Sequence, residues 1–225
     1  MKGKNPFYTL TRFEWTLYIC SLLVIVVSFI FSGGVTHTVA SLIGVTALIF
    51  VAKGMVLGQV LTVVFAVFYG IVSFELKYYG EMITYLFMTS PMAVCAIVSW
   101  VKNPYKDSGE VKVRRLSAGQ ILLVLLSSAA VTVVFYFILR ALGNASLLVS
   151  TLSVTTSFIA STLTFLRSPF YALGYAANDI VLIILWSVAA VKDISSLPMV
   201  LCFIMFLFND LYGFYNWSRM QKRQV

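Results

Sequence analysis

Residues 118–140 read AGQILLVLLSSAAVTVVFYFILR, and the one charge among them is the closing Arg140. A helix rises about 1.5 Å per residue, so a run of this length crosses the ~30 Å hydrocarbon core of a bilayer. It follows a basic cluster, Lys112, Arg114 and Arg115. Working outward in both directions, the same signature recurs. Apolar runs at 14–32, 35–52, 55–75 and 79–101 precede it, and runs at 146–166, 169–189 and 197–217 follow. The whole chain of 225 residues is 60% hydrophobic and 11% charged, against about 25% charged for a soluble domain. A soluble globular enzyme, a disordered chain and a nucleic-acid-binding protein are excluded. The sequence predicts an all-α integral membrane protein with eight transmembrane helices.

The net charge of +8 follows from orientation, not from nucleic acid. With the amino terminus inside, Lys2, Lys4, Arg12, Lys53, Lys102, Lys106, Lys112, Arg114, Arg115, Arg167, Arg219, Lys222 and Arg223 fall on the cytoplasmic side, 13 of 16 Lys and Arg. Lys77, Arg140 and Lys192 remain outside. This asymmetry predicts that both termini are cytoplasmic. Residues 14–32 lack a small-residue cleavage site leading into a polar domain, and the apolar pattern resumes at Val35, so they read as a retained helix. Cys20, Cys95 and Cys202 lie inside apolar runs without paired or metal-ligand spacing, and are expected to be buried thiols.

The longest connection, 102–117, holds Asn103-Pro104, Asp107 and Gly109 and divides the chain. Segments 1–34 (terminus and extra helix), 35–101 (three helices), 102–145 (basic loop and linker helix) and 146–225 (three helices and terminus) follow. Each triplet ends on a tryptophan, Trp100 or Trp217, expected in the interfacial belt with Tyr18, Tyr78 and Tyr79. Both triplets start outside and end inside. This layout resembles the parallel three-plus-one-plus-three repeats of small transporters such as the SWEET carriers, with one extra helix in front.

Carboxylates at membrane depth usually face a cavity or a partner. Asp179 falls at the middle of its run and Asp210 near the middle of the last, each after an asparagine, Asn178 and Asn209. Tyr171, Tyr175, Asn178, Asp179, Leu182 and Trp186 share a helical stripe, as do Asn209, Tyr212 and Asn216, and Gln59, Thr62, Ala66 and Tyr69. Ser90 and Pro91 break the fourth run and form a candidate hinge. The run at 146–166 is rich in Ser and Thr, which in membrane helices mostly bond back to their own helix. Amides suit hydroxyls or a carboxamide, aromatic faces suit a flat and especially a cationic ring, and carboxylates counter a positive charge. No His-Glu-x-x-His, Gly-x-Ser-x-Gly or P-loop occurs, so neither an enzyme nor a cofactor is expected.

Tyr79-Gly80-Glu81 leading to Ser90-Pro91-Met92 and Trp100, then Arg167, the Tyr175–Asp179 segment and Trp186, and finally 209–217, NDLYGFYNW, stand in a characteristic order. Across about 40–220 the chain resembles the PnuC family of nicotinamide riboside transporters. The resemblance implies homotrimers that move nicotinamide riboside by facilitated diffusion, the product being trapped by cytoplasmic phosphorylation. It implies a mid-membrane site with Gln59, Asn178 and Asn209 as polar contacts and Tyr175 and Tyr212 as ring partners. Asp179 joins this set from its depth. Two positions depart from the family. No tryptophan occurs in 168–175, and apolar Phe65 stands where asparagine is common. A deoxynucleoside, thiamine or riboflavin is therefore the alternative cargo. A non-transporting scaffold is the more distant reading, disfavoured by the mid-membrane Asn-Asp pairs.

Overall fold

The computed structural model describes residues 5–32, 34–106, 108–144 and 146–224; Lys2, Lys4 and Asp107 lie outside them. Among the described residues, eight helices are long and apolar enough to span a membrane. They are α1 (Arg12–Ser32), α2 (Val35–Ala52), α3 (Val56–Glu75), α4 (Tyr79–Val101), α5 (Ala118–Ala141), α6 (Leu147–Phe165) and α7 (Tyr171–Lys192). The last is α8 (Leu197–Arg223). Among the described residues there is no β-strand, only a bridge between Pro104 and Val111. The expected spans are met to within a few residues, except that α8 continues six residues past Trp217. Arg219, Lys222 and Arg223 are good helix formers, so the helix outlasts the membrane.

The contacts form a closed ring. α2 packs on α3, α3 on α4, α4 on α6, α6 on α7, α7 on α8, and α8 returns to α2. Exchanging α2–α4 with α6–α8 maps this ring onto itself. α1 lies outside it against α2 and α8, and α5 lies outside against α6. Burial follows: 61% of the apolar window of α2 is covered, but only 11% of that of α5, which faces lipid.

Local chemistry sets the irregular points. α4 is interrupted by a π-helical stretch, Thr84–Thr89, directly before Ser90-Pro91. Pro91 has no N–H for the carbonyl one turn back, and a π bulge takes up such a break. α5 starts at a capping box in which Gln120 N donates to Ser117 Oγ (3.3 Å) and Ser117 N to Gln120 Oε1 (3.1 Å). The α2–α3 turn passes through Gly54 at φ 68°, and the matching α6–α7 turn through Arg167 at φ 61°.

The 102–117 connection is a fixed strap, not a loose linker. Val111 N donates to Gly54 O (2.9 Å), Arg114 N to Arg167 O (2.9 Å) and Val113 N to Gln224 Oε1 (2.7 Å). Val111 and Val113 are buried beneath it. The strap therefore joins both inter-helix turns to the end of α8. We use "strap side" for this face of the bundle.

Three expectations about surfaces are corrected. Trp100 and Trp217 are fully buried in the bundle, not in an interfacial belt. Tyr18 and Tyr78 are also buried, Tyr18 bonded to Thr46 and Tyr78 edge-on to Trp186. Of the three cysteines only Cys202 is buried; Cys20 and Cys95 face outward.

Candidate functional site

A cavity of about 40 Å³ lies within the ring. α2 contributes the small residues Gly44 and Ala47 with Leu48 and Val51; α3 contributes Gln59, Thr62 and Phe65. The π stretch of α4 contributes Tyr85 and Thr89, α7 Tyr175 and Asp179, and α8 Phe206 and Asp210. Tyr175 and Asp179 are four residues apart and so lie one above the other on one face of α7. Asp179 and Asp210 both line the cavity, and Oδ2 of each is buried without a hydrogen-bond partner among the described residues. No lysine or arginine lines this cavity. Buried polar atoms without partners are costly, so they mark a place built for a polar occupant. The volume admits a few waters, whereas pockets closed around organic ligands measure about 300–1,000 Å³. The ring is thus seen contracted around its polar lining.

Behind α7 lies a second polar layer. Ser153 Oγ donates to Glu81 Oε2 (3.0 Å) and lies 3.1 Å from Asn178 Oδ1, which also accepts from Thr156 Oγ1 (2.8 Å). Glu81 is fully buried, and its Oε1 and Asn178 Nδ2 lack protein partners. Glu81 was not among the expected site residues. Its signal was a lone glutamate inside an apolar run, at a position that reads equally as a helix start.

Gln59, Tyr175 and Asp179 are thus brought together as the sequence reading placed them. Asn178 is turned about 100° from Asp179 and faces the hydroxyls of α6. Asn209 faces α1, with Nδ2 donating to Met205 O (2.8 Å) and reaching Ser21 Oγ (3.4 Å). Tyr212 stands nearer the strap side, its hydroxyl donating to Glu14 Oε1 (2.8 Å). Glu14 there also binds Lys53 (2.9 Å) in a pair that is almost completely buried. These groups, with Asn216, Arg219 and Arg223, line an open vestibule of about 680 Å³. Ser90 and Pro91 adjoin the π stretch, one residue beyond the cavity-lining Thr89.

Aromatic layers shut the cavity at both ends. On the strap side, Trp217 Nε1 donates to Val51 O (3.0 Å) and Asn216 Nδ2 to Ala52 O (2.9 Å), tying α8 to the end of α2. In the same way Trp100 Nε1 donates to Thr164 O (3.2 Å), tying α4 to the end of α6. The two indoles meet at 5.3 Å between ring centroids, with Tyr171 against Trp217 at 4.8 Å. At the opposite end Trp186 Nε1 donates to Tyr69 Oη (2.7 Å), and Tyr69 packs on Tyr85 at 4.2 Å.

Eight apolar helices, a polar-lined chamber between them and a closure at each end define a class: a multi-pass membrane transporter for a small molecule. A family model described as "Nicotinamide mononucleotide transporter" matches residues 34–219, and the chain belongs to that family. The chain is 32% identical over 220 residues to the nicotinamide riboside transporter PnuC of Neisseria mucosa, covering 95% of this chain and 83% of that relative. It is 26% identical over 187 residues to the nicotinamide riboside transporter PnuC of Haemophilus influenzae, covering 82% and 80%. The crystal structure of the vitamin B3 transporter PnuC superposes with a TM-score of 0.87 at 29% identity, covering 99% of this chain and 100% of that one. The family consists of transporters, not enzymes.

Proposed function

We propose that this protein imports nicotinamide riboside across a bacterial plasma membrane by facilitated diffusion, with cytoplasmic phosphorylation keeping the product inside. The names of its relatives support the cargo. The observation that carries the reading is the cavity lining: two carboxylates, an amide and four aromatic rings, with no described lysine or arginine. Nicotinamide riboside is a pyridinium, a flat cation bearing ribose hydroxyls and a carboxamide. Tyr175, Tyr85 and Phe65 offer faces to the ring, Asp179 and Asp210 oppose its charge, and Gln59 serves a hydroxyl or the carboxamide. Asn178, Asn209 and Tyr212 act from behind, holding α7 and α8 in register for these contacts.

The strap side is read as cytoplasmic, because 11 of the 14 described Lys and Arg fall there, all but Lys77, Arg140 and Lys192. The tryptophan pair is then the inner gate and Trp186 with Tyr69 the outer one. The π stretch and Pro91 let α4 bend as the gates alternate. The homotrimer is carried over from the family resemblance.

The test is uptake of labelled nicotinamide riboside into liposomes containing the purified protein. Flux is expected without ATP and stops when the concentrations inside and outside are equal. Lack of flux refutes the cargo, and accumulation beyond equality under an imposed proton gradient refutes passive transport.

A further inference from the structure

A second recess lies far from the transport cavity, on the lipid-facing side of the bundle at the strap end. It measures about 520 Å³ and lies between α5, α6 and the start of α7. Its walls are hydrocarbon, with Ile121, Leu125, Ile159 and Leu163 prominent, while Arg114 and Arg115 stand at its mouth with Ser168. A third cation is close by. Arg167 shares a backbone bond with Arg114 (2.9 Å); its Nη1 donates to Lys112 O (3.4 Å), and its Nε is buried without a partner among the described residues. Burial, and then the Arg114 charge, lowers the Arg167 guanidinium below its ordinary value. Arg167 also sits in the left-handed region, φ 61°, where its counterpart turn uses glycine. An arginine kept at a strained position, facing like charge, calls for an anion.

The described residues do not supply that anion. Among the described residues the ion pairs are Lys53–Glu14 and Arg223–Glu110, so both described carboxylates on the strap side are engaged elsewhere. A second copy of this chain meeting the recess would bring apolar surface but no free described carboxylate at that level. A molecule that offers both parts is an anionic phospholipid. Its acyl chain matches the wall and its phosphate the mouth, and the recess opens to the bilayer at headgroup depth.

We propose that the recess between α5, α6 and α7 is a binding site for an anionic phospholipid, held at its phosphate by Arg114, Arg115 and Arg167. α5 touches the ring through α6, so a lipid wedged here supports the linker helix against the moving triplet.

The test uses the purified full-length protein in neutral detergent. Phosphatidylglycerol and phosphatidylcholine are titrated while bound lipid is counted by native mass spectrometry and thermal unfolding is followed. Phosphatidylglycerol is expected to be retained and to raise Tm; phosphatidylcholine and inorganic phosphate are not. A surface cation is worth about 1 kcal/mol toward anionic lipid, about fivefold, so Arg114→Gln with Arg115→Gln weakens retention about 25-fold. Leu125→Trp, at a side chain already half exposed, fills the recess and removes binding with the charges intact. Should the arginine pair fail to fold without its charges, Leu125→Trp alone decides. Equal retention of both lipids, stabilisation by inorganic phosphate alone, or unchanged phosphatidylglycerol binding in Leu125→Trp overturns the proposal. So does efficient cysteine cross-linking between copies through Leu125→Cys, which would put a second protomer in the recess.

Discussion

Replacing Trp217 with phenylalanine tests the inner gate directly. The indole is fully buried and gives its single donor to Val51 O at 3.0 Å. Phenylalanine keeps a ring against Tyr171 and Trp100 but removes the N–H. In the closed form the Val51 carbonyl then stays buried without its partner, at a cost of about 1–3 kcal/mol. When the strap side opens, water reaches that carbonyl and most of the cost disappears. The substitution therefore penalises the closed form selectively, by about 1–2 kcal/mol, a shift of about five- to thirtyfold toward the inward-open form. Trp100→Phe removes the matching bond to Thr164 O and is expected to act alike.

The assay is the labelling rate of a cysteine placed at Thr62, on the cavity wall, by an impermeant maleimide. Exposed Cys20 and Cys95 are first replaced by serine. From the strap side, labelling is expected to accelerate about tenfold in either tryptophan variant. From the opposite side it should stay constant or slow. Trp186→Phe, which breaks the other closure, should give the reverse pattern. If both strap-side variants fold, lose stability and label at the parental rate, the tryptophans are packing residues and the gate assignment is wrong.

Asp179→Asn should weaken binding of cationic nicotinamide riboside at least tenfold in calorimetry, yet change binding of its neutral dihydro form less than threefold; an equal loss for both would remove counter-charge as the basis of selection. A cysteine at Ser195, on the exposed turn before α8, should label from outside intact cells, while one at Ser108 in the strap should not. Labelling at Ser108 would invert the proposed orientation.

The spans were legible because run length and apolarity are properties of the chain itself, and they fix where a helix crosses a bilayer. Which way a side chain turns depends on neighbours that the sequence does not order. Trp100 and Trp217 illustrate this. Tryptophan at the end of an apolar run suits an interfacial belt, and only the ring of helices turns both indoles inward onto carbonyls of the other triplet. Asn178 and Asp179 share a stripe, yet a stripe broad enough to include both reaches two neighbours. Asp179 meets α8 and the cavity; Asn178 meets Ser153 and Thr156 of α6. The hydroxyls of α6 follow the back-bonding expectation at Thr151, Thr155, Ser161 and Thr164. Ser153 departs from it, giving its proton to the buried Glu81–Asn178 layer. Glu14 was passed over beside the basic residues at the chain's start, because its pairing with Lys53 spans two helices.

The two ends of the chamber are built unequally, and this bears on how the carrier cycles. On the strap side the exchange of the triplets is nearly exact. Trp100 of α4 reaches the end of α6 and Trp217 of α8 the end of α2, and Asn216 adds a third bond to Ala52 O. Opening there breaks three hydrogen bonds and separates two indoles packed at a 51° tilt. At the opposite end Trp186 bonds Tyr69 between α7 and α3 (2.7 Å), and Ser41 Oγ reaches Pro198 O between α2 and α8 (3.2 Å). At about 1 kcal/mol net per bond, release of the strap-side closure costs roughly 1 kcal/mol more than release of the opposite one. A carrier whose cargo is consumed inside gains from this order. With the strap side cytoplasmic, as proposed, the outer side opens at lower cost than the inner. The cavity holds about 40 Å³, so Tyr175, Tyr85 and Phe65 must spread to admit an organic ligand. The bonds of Ser153 and Thr156 to Asn178 tie α7 to α6, so the seventh helix is expected to move with its own triplet.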